Sequence, residues 1–585
     1  MGKRSYNPHR ASLSRFDRSF FSGSDRFTFI GSGELGGKAH GLARVKGILE
    51  SSVGGSFKPG ISVNIPTLTV LTTDLFDAFM KQNDLLAKIG RDDADEMIAH
   101  RFQQASLPVT LVGDLRALVQ QAHAPLAVRS SSMLEDAMFE PFASVYATKM
   151  VPNNQPDADA RFRALDEAVK FVYASTFFRA ARNYMRATHH TTRDEKMAVV
   201  IQEVVGDRFG DRFYPHVSGV LRSYNFYPAS GSEPEDGVAE LALGLGRTIV
   251  DDGVSWAFSP PYPRANPPFK SIGDMLKHTQ TRFWAINMGK PPAYNPIEET
   301  EYLMQYGLEE AGYDGSLRHI ASTYNAQDDR ITSGIEEEGP RVVDFAPILK
   351  DEVLPLADLL RELKKTCEDS LGAMVEIEFA MRLGRRECAP ADFGFLQVRP
   401  MVVSTEQVEV AREELAGPGV VLASERVLGN GAIETIRDVV YAVPERFDVR
   451  RTRSMASDLE RINSSLLDER VPYVLIGFGR WGTTDPLGGI PVDFGQISGA
   501  RVIVEASSPD LQFMLSQGSH FFHNVTSFRI LYFSVRHDGP YAIDWDWLAG
   551  QPAVAETEYI RHVRCAAPLS IRVDGRRGRG VIVHE

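Results

Sequence analysis

Two stretches late in the chain alternate polar and apolar side chains. In Val375-Glu376-Ile377-Glu378-Phe379, a strand period of two puts both carboxylates on one face and Ile377 and Phe379 on the other. In Leu396-Gln397-Val398-Arg399-Pro400, the same period sets Gln397 and Arg399 together, against Leu396 and Val398. If the two strands pair, a carboxylate, an amide oxygen and a guanidinium converge on one side of a sheet. Magnesium takes oxygen ligands and keeps one or two protein groups beside substrate phosphates, so Glu378 and Gln397 would suffice as its protein ligands. Arg399 would then meet the charge on a transferring phosphoryl group. A solvated hairpin face with a cross-strand ion pair is the competing reading.

Near the front, Gly31-Ser32-Gly33-Glu34-Leu35-Gly36 satisfies G-x-G-x-x-G between a strand at Phe27 to Ile30 and a helix at Ala39 to Glu50. A dinucleotide turn would need its acid at the end of the next strand, whereas Glu50 ends the helix. A Walker A loop fails too, because Ser32 replaces its first glycine and Ala39 stands where Ser or Thr should hold magnesium. What remains is a run of backbone N–H groups at a helix start with Lys38 at its rim, the elements of a triphosphate cradle; a structural turn is the alternative. Further on, the strand Leu126-Ala127-Val128 delivers Arg129 and the hydroxyls of Ser130, Ser131 and Ser132. That set suits branched anionic oxygens, although an ordinary salt bridge also accounts for Arg129.

Taken in order, these pieces resemble the ATP-binding region of phosphoenolpyruvate synthase and pyruvate phosphate dikinase, shared by the rifampicin phosphotransferases. The carriers are GGKAHGLARV, the run Leu126 to Ser132 with Glu135-Asp136 and Phe142-Ala143-Ser144, and the Glu, Gln and Arg strands, together spanning 27–402. The resemblance implies an ATP-grasp fold with ATP and Mg²⁺ as cofactors, Glu378 and Gln397 as metal ligands, and Arg399 on phosphate. It also implies nucleotide contacts from Gly36, Gly37, Lys38, Arg129 and Ser130, with Lys38, Arg129 and Arg399 neutralising phosphates in catalysis. Gln202-Glu203-Val204-Val205 resembles the family's adenine hinge, through Gln202, Glu203 and Val205; a buried strand edge explains that stretch equally well. Gly219, Glu240 and Gly244-Leu245-Gly246 match later segments. The chain departs from the family at Ala143 and Ser144, where a flexible phosphate loop carries glycine, and at Glu376, where dikinases use Asp. The family's T-S-H-A-A histidine does not occur, and the roughly 180 residues after 404 cannot hold both a swivelling domain and a barrel. Pyruvate is therefore not assumed to be the substrate.

The elements that must position these groups follow from composition and pattern. The 585 residues carry 64 Lys+Arg against 77 Asp+Glu, a net charge of −13, with 43% apolar positions. Such a chain is folded, and its acidic balance argues against nucleic acid as a partner. Apolar runs are too short to span a membrane and three cysteines are too few for a disulfide framework, which favours the cytoplasm. The expected fold class is α+β. A basic flexible tail, 1–26, precedes an ATP-grasp module of two subdomains, 27–215 and 216–404, and a separate C-terminal α+β domain covers 420–585. Helices are expected through much of 74–121, over 159–187 and over 351–371, and strands at Met197 to Val205 and Val525 to Val535. In the last domain, Gly477-Phe478-Gly479-Arg480-Trp481-Gly482 reads as a tight structural loop or as an aromatic plate beside an anion site. His520 and His523 lie three apart, and His520 is a candidate phosphate carrier. The expected activity is an ATP-dependent phosphotransferase with an unidentified acceptor, self-association being left open. A nucleotide-sensing regulator or scaffold is the alternative, and a nucleotide-dependent oxidoreductase rests on the glycine turn alone.

Overall fold

The computed structural model describes residues 13–584 except 19–25, 52–57, 91–92, 135–144, 188–194, 227, 229–230, 251–252, 266–268, 270, 385–389, 402–407, 484–486, 509–524 and 526–527. His520, His523, Glu135-Asp136 and Phe142-Ala143-Ser144 therefore lie outside the described residues. Among those described, no helix is long and apolar enough to cross a membrane.

Strand Met197–Glu203 is rich in β-branched residues and buried, as a central strand covered on both faces should be. It pairs antiparallel with Leu68–Leu71 on one side and with Leu126–Ser132 on the other. Phe27–Ile30 and Thr148–Val151 complete a six-stranded sheet, with Ser14–Arg15 at its edge. The end of the expected flexible tail thus contributes a short parallel strand, and Leu13 is buried. Alternation divides the two faces. Val128, Val199 and Ile201 pack with Phe76, Phe79 and Phe102 in the main core. Phe29, Val70 and Val200 pack on the opposite face against Leu35, Ala39 and Leu42, at the start of the helix Gly37–Ser51.

The second six-stranded sheet runs Trp256–Phe258, Val238–Ala242, Val217–Arg222, Val375–Arg382, Ala391–Pro400 and Ile61–Asn64. Its pairs are antiparallel except the last, where Ile61–Asn64 crosses from the N-terminal region to lie parallel to Ala391–Gly394. The expected division at 215/216 does not follow the sheets. Asp207–Phe209 and Arg212–Tyr214 already belong to a four-stranded sheet with Arg282–Asn287 and Leu303–Gly307. The helix Gly37–Ser51 ties the two large sheets together: a Cβ on Gly41 would sit 2.5 Å from the Val398 carbonyl, so glycine permits the close approach. The helix expected from 351 begins at Leu356, because Pro355 supplies no N–H and disfavours helical conformation in the residue before it.

Beyond residue 420, four strands lie parallel and in sequence order: Asp438–Ala442, Tyr473–Phe478, Ala500–Ala506 and Leu531–Val535. The helix Thr452–Asp468 makes the first crossover. The strand expected from Val525 is shorter and begins at Leu531; Arg529 stands at φ 53°, a left-handed conformation that interrupts extension. Trp481 is buried, with its indole N–H donating to the Val504 carbonyl at 3.1 Å, so it packs instead of offering a plate. The core is continuous with that of the N-terminal sheet. Helix Arg179–Ala187 meets Phe494–Gln496, and Tyr184 lies 5.2 Å from Phe528 and 6.1 Å from Phe494, ring centre to ring centre.

Candidate functional site

The pairing expected from the strand period holds from Val375 to Glu378, after which the register shifts past Leu396 and brings that residue to the cavity. Glu378 stands opposite Gln397, and Glu376 opposite Arg399. Val220 and Glu240 continue the Glu378 row onto the next two strands, while Arg222 continues the Glu376 row. One face of this sheet is therefore polar, and the other, with Leu221, Ile377 and Val398, belongs to a core shared with Leu359, Leu360 and Leu363. Glu376 is buried and accepts from Arg399 Nε at 2.9 Å and from Arg222 Nε at 2.8 Å. Arg222 Nη1 donates to Glu240 at 2.5 Å, and Ser255 donates to the other Glu240 oxygen at 2.8 Å. Burial disfavours the Arg222 charge, but the attraction of Glu240 and Glu376 outweighs it and raises the pKa. Glu240 is thereby part of an internal ion chain that ends at Arg399.

From the facing sheet, Arg129 reaches across. Its Nη2 donates to Glu378 Oε2 and to Gln397 Oε1, both at 3.0 Å, and its Nη1 donates to the Leu396 carbonyl at 2.9 Å. Lys38 Nζ donates to Ser130 Oγ at 3.2 Å. Ser131 Oγ donates to the Leu35 carbonyl at 3.0 Å and accepts from the Ala39 N–H at 3.1 Å, so it joins the glycine turn and the helix start to the Arg129 strand. Gly36, at φ 77°, presses on that strand so closely that a Cβ would fall 1.6 Å from the Ser131 carbonyl.

The front of the glycine turn, Ser32 to Glu34, does not offer its donors to a ligand. The Ser32 and Gly33 N–H groups point at the Asp74 carboxylate, at 2.9 and 2.7 Å, and the Glu34 N–H donates to Thr73 Oγ1 at 3.0 Å. The anion in this nest is a side chain of the protein itself. Burial pushes the Asp74 carboxyl up, but hydrogen bonds from Thr72, Ser32 and Gly33 win and hold it below the usual carboxylate range. Gly31 to Glu34 therefore form a structural turn, and Lys38 is the residue of this motif that lines the cavity.

Between the two sheets lies a cavity of about 320 Å³, within the range of small-molecule sites. Lys38, Arg129, Gln202, Glu203, Val205, Gly219, Glu378, Gln397 and Arg399 all line it; Gly36, Gly37, Ser130 and Glu240 do not. Gln202 lies across from Ala127, on the face that carries Arg129, and its Nε2 is buried with no hydrogen-bond partner among the described residues. Met150, Val204 and Leu245, which pack together, give this end an apolar wall. Sequence reasoning missed two charged wall residues. Arg247 directly follows the Gly244-Leu245-Gly246 turn, which is the signal that could have found it, and its guanidinium lies 5.3 Å from the Trp284 ring centre. Glu299 carries no motif. It accepts from the Thr148 N–H at 2.9 Å, and its segment is tied down by buried Lys149, 2.7 Å from Glu301.

Glu378 Oε2 and Gln397 Oε1 converge on a single point, which fits a hard cation that takes oxygen ligands and completes its shell from phosphates and water. Among the described residues, no group of three or more His, Cys, Asp or Glu side chains could hold a metal by itself.

An α+β fold with a cavity that combines an apolar end and a cationic end has the features of a nucleotide-binding protein. The family model described as pyruvate phosphate dikinase, AMP/ATP-binding domain, matches residues 32–416, about two-thirds of the chain, and the protein belongs to that family. No curated protein matches the chain.

Proposed function

We propose that this protein is an ATP- and Mg²⁺-dependent phosphotransferase built on an ATP-grasp module, with the C-terminal domain presenting the acceptor. The observation that carries the reading is the convergence of Lys38, Arg129, Arg399, Glu378 and Gln397 on one cavity from two sheets and the helix that joins them. The base would lie against Met150, Val204 and Leu245, with Gln202 Nε2 donating to one of its ring nitrogens. The phosphates would extend toward the three cations, which neutralise charge and hold the transferring group in line. Glu378 and Gln397 would hold Mg²⁺, which supplies charge neutralisation across the phosphates when bound. Phosphoryl transfer asks little covalent chemistry of the protein, so preorganised donors suffice.

The test is incubation with Mg²⁺ and ATP labelled on the β- or γ-phosphorus, followed by product analysis and assay of acid-labile phosphoprotein. AMP, ADP or phosphoprotein above the level of Glu378→Ala supports the reading. Tight ATP binding with no product across a metabolite screen favours a nucleotide-sensing regulator instead. One observation points that way: the Arg399 guanidinium is already engaged by Glu376.

A further inference from the structure

Arg129 is anchored on the first sheet, yet its fork is satisfied on the second. One nitrogen, Nη2, lies 3.0 Å from both Glu378 Oε2 and Gln397 Oε1, while Nη1 is fixed by the Leu396 carbonyl. The side chain is only 13% exposed, so these contacts are made largely out of water. We infer that Arg129 is a placeholder for the divalent cation: its guanidinium occupies the point on which both candidate ligand oxygens converge, so cation and guanidinium compete for it. This rests on the phosphotransferase reading of the same cavity.

The competition follows from distances and charge. Magnesium bonds its oxygens at about 2.0–2.1 Å. A cation bonded to both oxygens would lie at most about 5 Å from a nitrogen that is 3.0 Å from each, and like charges that close repel strongly where water is scarce. The guanidinium must therefore swing away as the cation arrives, and nucleotide phosphates are the partners that make this favourable. Cation and nucleotide then bind with positive coupling, because each removes an obstacle to the other. Without nucleotide, the guanidinium keeps Glu378 paired and divalent-cation affinity low. The same residue thus opposes the metal in one state and assists phosphate in the next.

The experiment is a Mn²⁺ titration of the full chain followed by electron paramagnetic resonance, without nucleotide and then with a non-hydrolysable ATP analogue. Without nucleotide, Arg129→Ala and the neutral Arg129→Gln bind Mn²⁺ at least about tenfold tighter than wild type, and Arg129→Lys falls between. With the analogue the advantage shrinks, because wild-type Arg129 has then left the oxygens. Circular dichroism checks folding, and Arg129→Gln carries the test should the alanine variant unfold. Equal affinity, weaker binding in the neutral variants, or undetectable binding to all proteins overturns the inference. Analogue binding by wild type is scored separately: its failure sinks the phosphotransferase reading, whereas unchanged Mn²⁺ affinity with normal analogue binding sinks the placeholder alone.

Discussion

The two walls of the cavity were built from motifs of similar apparent clarity, and they turned out differently. On the second sheet, the expected partners stand directly opposite each other: Glu378 with Gln397, and Glu376 with Arg399. On the first, the glycine turn that looked like a phosphate cradle is filled by Asp74, some 40 residues away, and only Lys38 of that motif faces the cavity. A strand period dictates which side chains share a face for as long as the register holds, as it does from Val375 to Glu378. A glycine turn dictates only that N–H groups will be exposed along a concave path. Which anion fills it depends on what the rest of the chain brings near.

The largest effect that would sharpen this contrast concerns Glu376. It lies between Arg399 and Arg222, and all three side chains are at most 13% exposed. Glu376→Ala leaves two buried guanidinium groups without their shared partner and should cost about 3–5 kcal/mol, read as the shift in urea midpoint. A loss under about 1 kcal/mol would show the ion chain to be incidental and return this face to a solvated hairpin.

Next comes Arg129, the link between the walls. If it holds charge as the phosphoryl group moves, Arg129→Ala should lower turnover by about 10²–10³, the size seen when one preorganised donor is lost. A fall below threefold in a folded variant would detach the first sheet from the chemistry. Loss of turnover together with a gain in cation affinity is a pair that general destabilisation does not produce.

Much of this was legible in the residues themselves. The strands Phe27–Ile30 and Leu126–Ser132 and the paired strands after Val375 could be read from period and motif, and the family resemblance added others of the nine named residues that line the cavity. What escaped notice depends on tertiary placement. Ile61–Asn64 joins the second sheet, which no local pattern announces, and the sheets therefore do not divide at 215/216. Glu240 matched a family segment, yet Arg222 and Ser255 hold it outside the cavity wall. Glu299 is positioned by Thr148, on a strand about 150 residues earlier. Beyond residue 420, the expected strand from Val525 is cut short by a left-handed residue that its β-branched composition conceals.

The smallest effect tests the filled turn. Asp74→Ala removes the acceptor for the Ser32 and Gly33 N–H groups and should cost about 1.5–3 kcal/mol, the range for hydrogen bonds to a charged group. Because Asp74 does not line the cavity, ATP affinity of the folded variant should stay within about twofold; a large loss would mean that the turn reaches the phosphates after all. The pH dependence gives an independent reading. The Asp74 pKa is lower in the folded protein than the ordinary value near 3.8, so the unfolded chain binds its proton more readily. The stability it contributes is complete above the unfolded pKa and is lost as the pH falls through the folded one. Urea midpoints of wild type and Asp74→Ala should therefore differ most at neutral pH and converge in acid. Parallel curves would assign the difference to lost packing and leave the nest to be filled by another anion.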